Sequence, residues 1–378
     1  MIFKLLKCAL SGEALDDVSC VDKEAWGEIY KVSKKHDLAH LIGYALSLSK
    51  VEIDEDVKKA FEKSSNMAAF RYVKKSFELD AIKGALSKAE IDFLPLKGSV
   101  INEYYKEPWL RTSCDIDVLV KKEDLEKAKC AIIDALGYEL QPSSTRHDVP
   151  LTSPSGVHLE LHFELNEELF KESKELTDIW QGKELVNVSE HEYQMTNEMF
   201  LFYHIYHMAK HFENGGCGIK PLLDLWIIKN KMGYDEEKAR CLIEKEGYLV
   251  FYENALALMN VWLENAEHTP LTKNMESYIL DGGVYGSLEH NLAISQNKRG
   301  GAFKNLWHRI FIPYRLLVVR YPSLKKCPPL LPVYWVIRWF RILFSRDKSA
   351  AFNELKQNQK ITQDERDAVG KLLESLGL

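Results

Sequence analysis

A chain of 378 residues and 43.6 kDa is too long for one small core, so two or three domains are expected. With 46% hydrophobic and 28% charged residues, the composition is that of a globular protein rather than a disordered or fibrous one. The formal charge of −6 excludes a protein coated in positive potential, so any nucleic-acid contact must be a local patch.

Residues 1–90 form the first region. The N-terminal stretch MIFKLLKCALSGEAL carries Lys4 and Lys7 inside its short apolar run, which argues against a secretion signal. KEAWGEIYKVSKKHDLAHLIGYAL and DVKKAFEKSSNMAAFRYVKKSFELDAIKGALSKA then place apolar residues at three- and four-residue spacing, the period of helices. Seven cysteines, scattered from Cys8 and Cys20 to Cys327 with no C-x-x-C pair, suggest neither a disulfide framework nor a zinc ribbon and fit a reducing cytoplasm.

In residues 91–190 the period changes. Short apolar runs IDFLPLKG, CDIDVLV and GVHLELHFEL read as strands, and KKEDLEKAKCAIIDALG reads as a helix ending at Gly137. Strands mixed with helices in this way indicate an α+β unit, a small mixed sheet flanked by the helical regions on either side. Because strand residues i and i+2 share a face, Asp115 and Asp117 project together while Ile116, Val118 and Val120 pack on the other side. Two carboxylates so close raise each other's pKa unless a cation lies between them, and a hard pair of oxygen ligands suits Mg²⁺ bound to phosphate. Upstream, Lys97, Gly98 and Ser99 fall at a strand-to-helix turn where backbone N–H groups, a hydroxyl and an ammonium can meet phosphate. Downstream, HLELHFEL alternates polar and apolar residues, so Glu160 or Glu164 supplies a third carboxylate if this strand lies beside the first.

Residues 191–378 return to the helical period. In NEMFLFYHIYHMAKHF, His204, His207 and His211 share a helix face with Lys210 beside it, but their span of two turns is awkward for one zinc ion. The alternatives are histidines packed in the helical domain, or His207, Lys210 and His211 lining a cleft toward nucleotide. Asp224 in LLDLW is expected to be a buried partner for one of these cations. The segment 304–348 interleaves Lys304, Arg309, Arg315, Lys325 and Arg338 with aromatics such as Trp307, Trp335 and Phe340. It suits anionic lipid, nucleic acid or an acidic partner at its surface, or else helices with buried aromatics and solvated arginines. Its most apolar run is interrupted by Pro332, Arg338 and Arg341 and is not expected to span a membrane. A cytoplasmic location with peripheral membrane contact is therefore compatible with the sequence.

Residues 94–120 with HLELHFEL resemble the DNA polymerase beta-like nucleotidyltransferase superfamily, with its Gly-Ser turn, D-x-D strand and later carboxylate. More closely they resemble an uncharacterised bacterial nucleotidyltransferase family with a K-G turn, an R-x-x-x-D-I-D strand and an E/D-x-H strand. The stretch from Ser99 to Asp115 is longer than in the commonest superfamily pattern. The resemblance implies Gly98 and Ser99 on a triphosphate, Arg111 on phosphate, and Asp115, Asp117 and Glu160 holding Mg²⁺ or Mn²⁺. It further implies transfer of a nucleoside monophosphate from an NTP to an unidentified small molecule, protein or RNA, with release of pyrophosphate. The alternatives are a non-catalytic nucleotide- or partner-binding protein, and a toxin–antitoxin component that modifies tRNA or protein.

Overall fold

The computed structural model describes residues 1–15, 22–49, 53–142, 146–166, 170–344 and 348–378. Cys20 and Arg346 lie outside the described residues, as do the side chains of Arg320 and Lys348.

The helical period of the first region resolves into helices Ile2–Ser11, Lys23–Lys35, Ala39–Leu48 and Glu55–Lys88. The last of these begins where the Asp54 carboxylate accepts from the N–H groups of Asp56 and Val57, satisfying donors that have no partner in the first turn. The helical stretch from Lys23 onward is divided at Asp37, which adopts φ 54°. Periodicity is overridden there by tertiary bonds: Asp37 Oδ2 accepts from Lys220 Nζ and from Thr112 Oγ1, each at 2.8 Å.

Five strands of the second region make one mixed sheet. They are β1 (Phe93–Pro95), β2 (Asp115–Val120), β3 (Glu139–Leu140), β4 (Asp148–Thr152) and β5 (His158–His162), in the order β1-β2-β5-β4-β3. The pairs β1–β2, β4–β5 and β3–β4 are antiparallel, whereas β2 and β5 run parallel with Asp115 opposite His158 and Asp117 opposite Glu160. The predicted helix is present as Leu125–Leu136 and stops at Gly137, whose φ of 70° is the left-handed cap that glycine adopts without strain. A separate pair, β6 (Leu185–Asn187) and β7 (Tyr193–Met195), leads into helix Asn197–Glu213. The chain is thus an α+β protein, a small mixed sheet set among helices.

The alternation in β2 and β5 gives the sheet two unlike faces. Ile116, Val118, Val120, Leu159 and Leu161 pack against Ile82 and Leu86 of the long helix and Ala128 and Ile132 of helix Leu125–Leu136. The other face carries Asp115, Asp117, Glu160 and His162 at the edge of a larger apolar cluster, to which Leu119 belongs. That cluster takes side chains from Leu5 near one end of the chain to Leu376 near the other, with helices Asn197–Glu213 and Leu249–Leu263 between. Among the described residues no helix is long and apolar enough to cross a membrane.

Leu161 is fully buried at the centre of the apolar face. Leu161→Ala should cost about 2–5 kcal/mol of stability through lost transfer energy and the cavity left behind. A urea midpoint within experimental error of the parent would show that this face does not hold the sheet.

Candidate functional site

Lys97 follows β1 and opens the single helical turn Gly98–Ile101 with φ 48° and ψ −119°, a strained conformation for a residue with a Cβ. The strain is held by what the side chain does. Lys97 Nζ donates to Asp117 Oδ1 at 2.8 Å, and His162 Nε2 donates to the same oxygen at 2.9 Å. The ring nitrogen of His162 also lies 3.4 Å from Glu160 Oε2. Packing at Gly98 is close, because a Cβ there would sit 3.1 Å from Ser113 Oγ and would need that side chain to give way.

Asp117, Glu160 and His162 bring their ligand atoms within 4.8 Å of one another, and among the described residues this is the one group of His, Cys or acidic side chains that does so. The cause is the register of β2 and β5, which sets Asp117 opposite Glu160 on one face. Asp115 shares that face two residues earlier but lies outside the 4.8 Å group. Glu164 lies beyond the end of β5 and pairs with Lys122 at the surface.

These residues open on a cleft of ≈ 510 Å³, a volume suited to a small ligand. Lys97, Gly98, Arg111, Asp115, Asp117, Glu160, His204, His207, Lys210, His211 and Asp224 all line it, so most residues singled out in the sequence are brought to one place. Ser99 does not line it. Its backbone N–H is bonded to the Leu96 carbonyl at 3.1 Å, and it faces a smaller pocket of ≈ 90 Å³ against the long helix.

Charge in the cleft is unevenly balanced. Burial alone would raise the Asp117 carboxyl, but the Lys97 ammonium and the His162 hydrogen bond hold it well below the usual carboxylate range. Reciprocally, Lys97 is held above its ordinary value because Asp117 outweighs burial. Asp115 moves the other way, pushed up by burial and by the neighbouring Asp117 charge. Lys210 is pulled down to about 8 by burial and by repulsion from Lys97. His207 is held far below its ordinary value, and His211 down to about 4, in both cases first by burial. Their Nε2 atoms lie 3.0 Å apart, while His204 turns away to the Pro221 carbonyl at 2.9 Å.

Arg111 and Asp224 are paired with each other. Arg111 Nε donates to both Asp224 oxygens, at 2.8 and 2.9 Å, and Tyr105 OH donates to Oδ1 at 2.7 Å. Asp224 is therefore a buried partner of Arg111, and its charge also acts on His204. Other cleft residues carried no signal in the sequence: Asp148, buried in β4 opposite His162; His147, whose ring stacks on His162 at 5.8 Å; and the Asp37–Lys220 pair.

A family model described as uncharacterised nucleotidyltransferase matches residues 22–264, which include all of β1 to β5 and the helix bearing Lys210. The chain belongs to this family. The nucleotidyltransferase is therefore a transferase by reaction class, as the K-G turn, D-I-D strand and E-L-H strand implied. The match ends before the basic aromatic segment. No curated protein and no solved structure matched the chain.

Replacing Arg111 by Met would leave Asp224 buried without a cation. Arg111→Met should cost about 3–5 kcal/mol of stability, and the double variant Arg111→Met/Asp224→Leu should regain part of it. Equal urea midpoints for the single variant and the parent would remove the ion pair from any structural role.

Proposed function

We propose that the cleft binds a nucleoside triphosphate with a divalent cation and transfers the nucleoside monophosphate to an acceptor hydroxyl, releasing pyrophosphate. The observation that carries this reading is the in-register pair Asp117 and Glu160, with Asp115 on the same face, lining a cleft that also holds Lys97 and Lys210. The donor set fits a hard cation. It is mainly carboxylate oxygen, and burial together with the neighbouring Asp117 charge raises the Asp115 carboxyl, so that a cation beside it would favour its ionised form. Asp115, Asp117 and Glu160 would hold Mg²⁺ or Mn²⁺, which when bound neutralises charge at the reacting phosphoryl group.

The chain's own groups supply the rest. Lys97 and Lys210 attract the triphosphate, and the strained turn at Lys97 fixes one of these charges relative to Asp117. Asp117, kept ionised by Lys97 and His162, is a weak base and holds its orientation. Glu160 is the more open carboxylate, its side chain 38% exposed against 5% for Asp117, and it is placed to take the acceptor's proton. The acceptor oxygen then bonds to the α-phosphorus as the bond to the bridging oxygen breaks and pyrophosphate leaves. Tyr285, an exposed ring on the cleft wall whose hydroxyl donates to Cys114 Sγ at 3.5 Å, offers a face on which a nucleobase can stack.

With Mg²⁺, each NTP in turn and a cell extract as acceptor source, pyrophosphate release should fall by at least about 100-fold in Asp115→Asn/Asp117→Asn. Mass spectrometry of the extract should show an added nucleotide mass only with the parent. Undiminished release in the variant would overturn the assignment, and NTP binding without any release would favour the non-catalytic alternative. A second readout uses Lys210. A bound polyanion stabilises its charged form, so calorimetry near pH 8 in buffers of different ionisation enthalpy should record proton uptake on NTP binding, and Lys210→Met should abolish it. Binding without net uptake in the parent would place the triphosphate away from Lys210.

A further inference from the structure

Between Ala302 and Phe344 the chain has eight lysines and arginines and no aspartate or glutamate, so the remainder, from a total of −6, carries −14. The segment folds as helices Ala302–Ile310, Tyr314–Arg320 and Leu331–Leu343, and its aromatics divide into two sets. One set is structural. Phe311 meets the rings of Trp335 and Trp339 edge-on at 5.1 and 5.3 Å, and the two indole N–H groups donate to the carbonyls of Ile312 and Ile310 at 2.8 and 3.0 Å. These contacts fix which side of helix Leu331–Leu343 turns inward.

The other side is apolar and uncovered. Val333, Val336, Ile337, Phe340 and Phe344 follow one another at i, i+3, i+4, i+7 and i+11, a single stripe whose members are between 44% and 83% exposed. On helix Ala302–Ile310, Phe303 and Trp307 are exposed at 75% and 55%, again one turn apart. A helix in a water-soluble domain turns its polar face outward; this one does the reverse. Exposed cations accompany the stripe: Arg341 within it, Lys304 beside Phe303, and Lys325 and Lys326 on the turn that leads into it.

We infer that this segment is an interfacial docking surface for an anionic lipid bilayer. An apolar stripe on a helix too short to span, with lysine and arginine alongside and no acid to repel lipid headgroups, matches the chemistry of a membrane interface. Charge complementarity selects this occupant over a second copy, because self-association through this face would set the exposed Lys304, Lys325, Lys326 and Arg341 against the same cations of the other copy. The segment is also joined to the cleft region. Arg146 Nη2 donates to the Arg315 carbonyl at 2.9 Å, and the next two residues, His147 and Asp148, line the cleft. Docking therefore holds the cleft near the bilayer surface, whatever reaction occurs there.

The test is co-sedimentation of the full chain with phosphatidylcholine vesicles containing phosphatidylserine, and with phosphatidylcholine alone. Partition to the anionic vesicles should be at least about tenfold stronger and should weaken with salt. Ile337→Glu/Phe340→Glu, which alters only exposed positions, should abolish binding with an unchanged thermal unfolding curve. Lys325→Glu/Lys326→Glu should lower it about tenfold or more. Equal partition to both vesicle types, or none to either, would overturn the proposal. So would sedimentation equilibrium of a dimer that Ile337→Glu/Phe340→Glu dissociates, or single-stranded RNA bound more tightly than the vesicles. Because the readout is lipid binding, its failure is separable from failure of the nucleotidyl-transfer reading.

Discussion

The parallel pairing of β2 with β5 in one register is the constraint on which the site depends. Strand side chains alternate, so the bonds that set Asp117 opposite Glu160 also send Ile116, Val118, Leu159 and Leu161 to the opposite face. A shift of one residue would bury carboxylates against Ile82 and Leu86 and expose leucines in the cleft. The apolar core beneath the sheet thus enforces the spacing of the acidic groups above it, and stability and site geometry are two results of one alternation.

Around that pair the charges form a chain of dependence. Lys97 and His162 both converge on Asp117 Oδ1, whereas burial and the Asp117 charge raise the carboxyl of Asp115. Arg111 is engaged chiefly by Asp224, both of whose oxygens accept from its Nε while one of them also accepts from Tyr105. Its role is to pin the loop before β2 to helix Lys220–Ile227. The Asp37–Lys220–Thr112 network ties the same loop to the N-terminal helices. Residues far apart in the chain therefore hold the loop that presents Asp115.

What was legible in the sequence followed from local periodicity. Asp115, Asp117 and Glu160 could be placed on shared faces because strand alternation needs no knowledge of the rest of the fold, and the α+β class followed from the change of period near residue 91. Asp148 was not legible. Its strand holds Pro150, which lacks a ladder donor, and its approach to His162 depends on an antiparallel pairing that no local pattern announces. The division of the first helical stretch at Asp37 was hidden for a similar reason, since its partner Lys220 is 183 residues away. The Asp224 partner of Arg111 was not legible either, because it lies 113 residues away in the chain and only burial demands the counter-charge.

Lys97 and Lys210 line the same cleft, yet their amines differ in reactivity toward electrophiles. Lys97 is held protonated by Asp117 and has no lone pair to offer, while Lys210 titrates near 8 and is partly unprotonated in mildly alkaline solution. An acylating reagent that enters the cleft would mark Lys210 and spare Lys97. Covalent probes of this cleft would then report on occupancy through one residue, and a ligand that restores the charge of Lys210 would protect it twice, by blocking access and by removing the nucleophile.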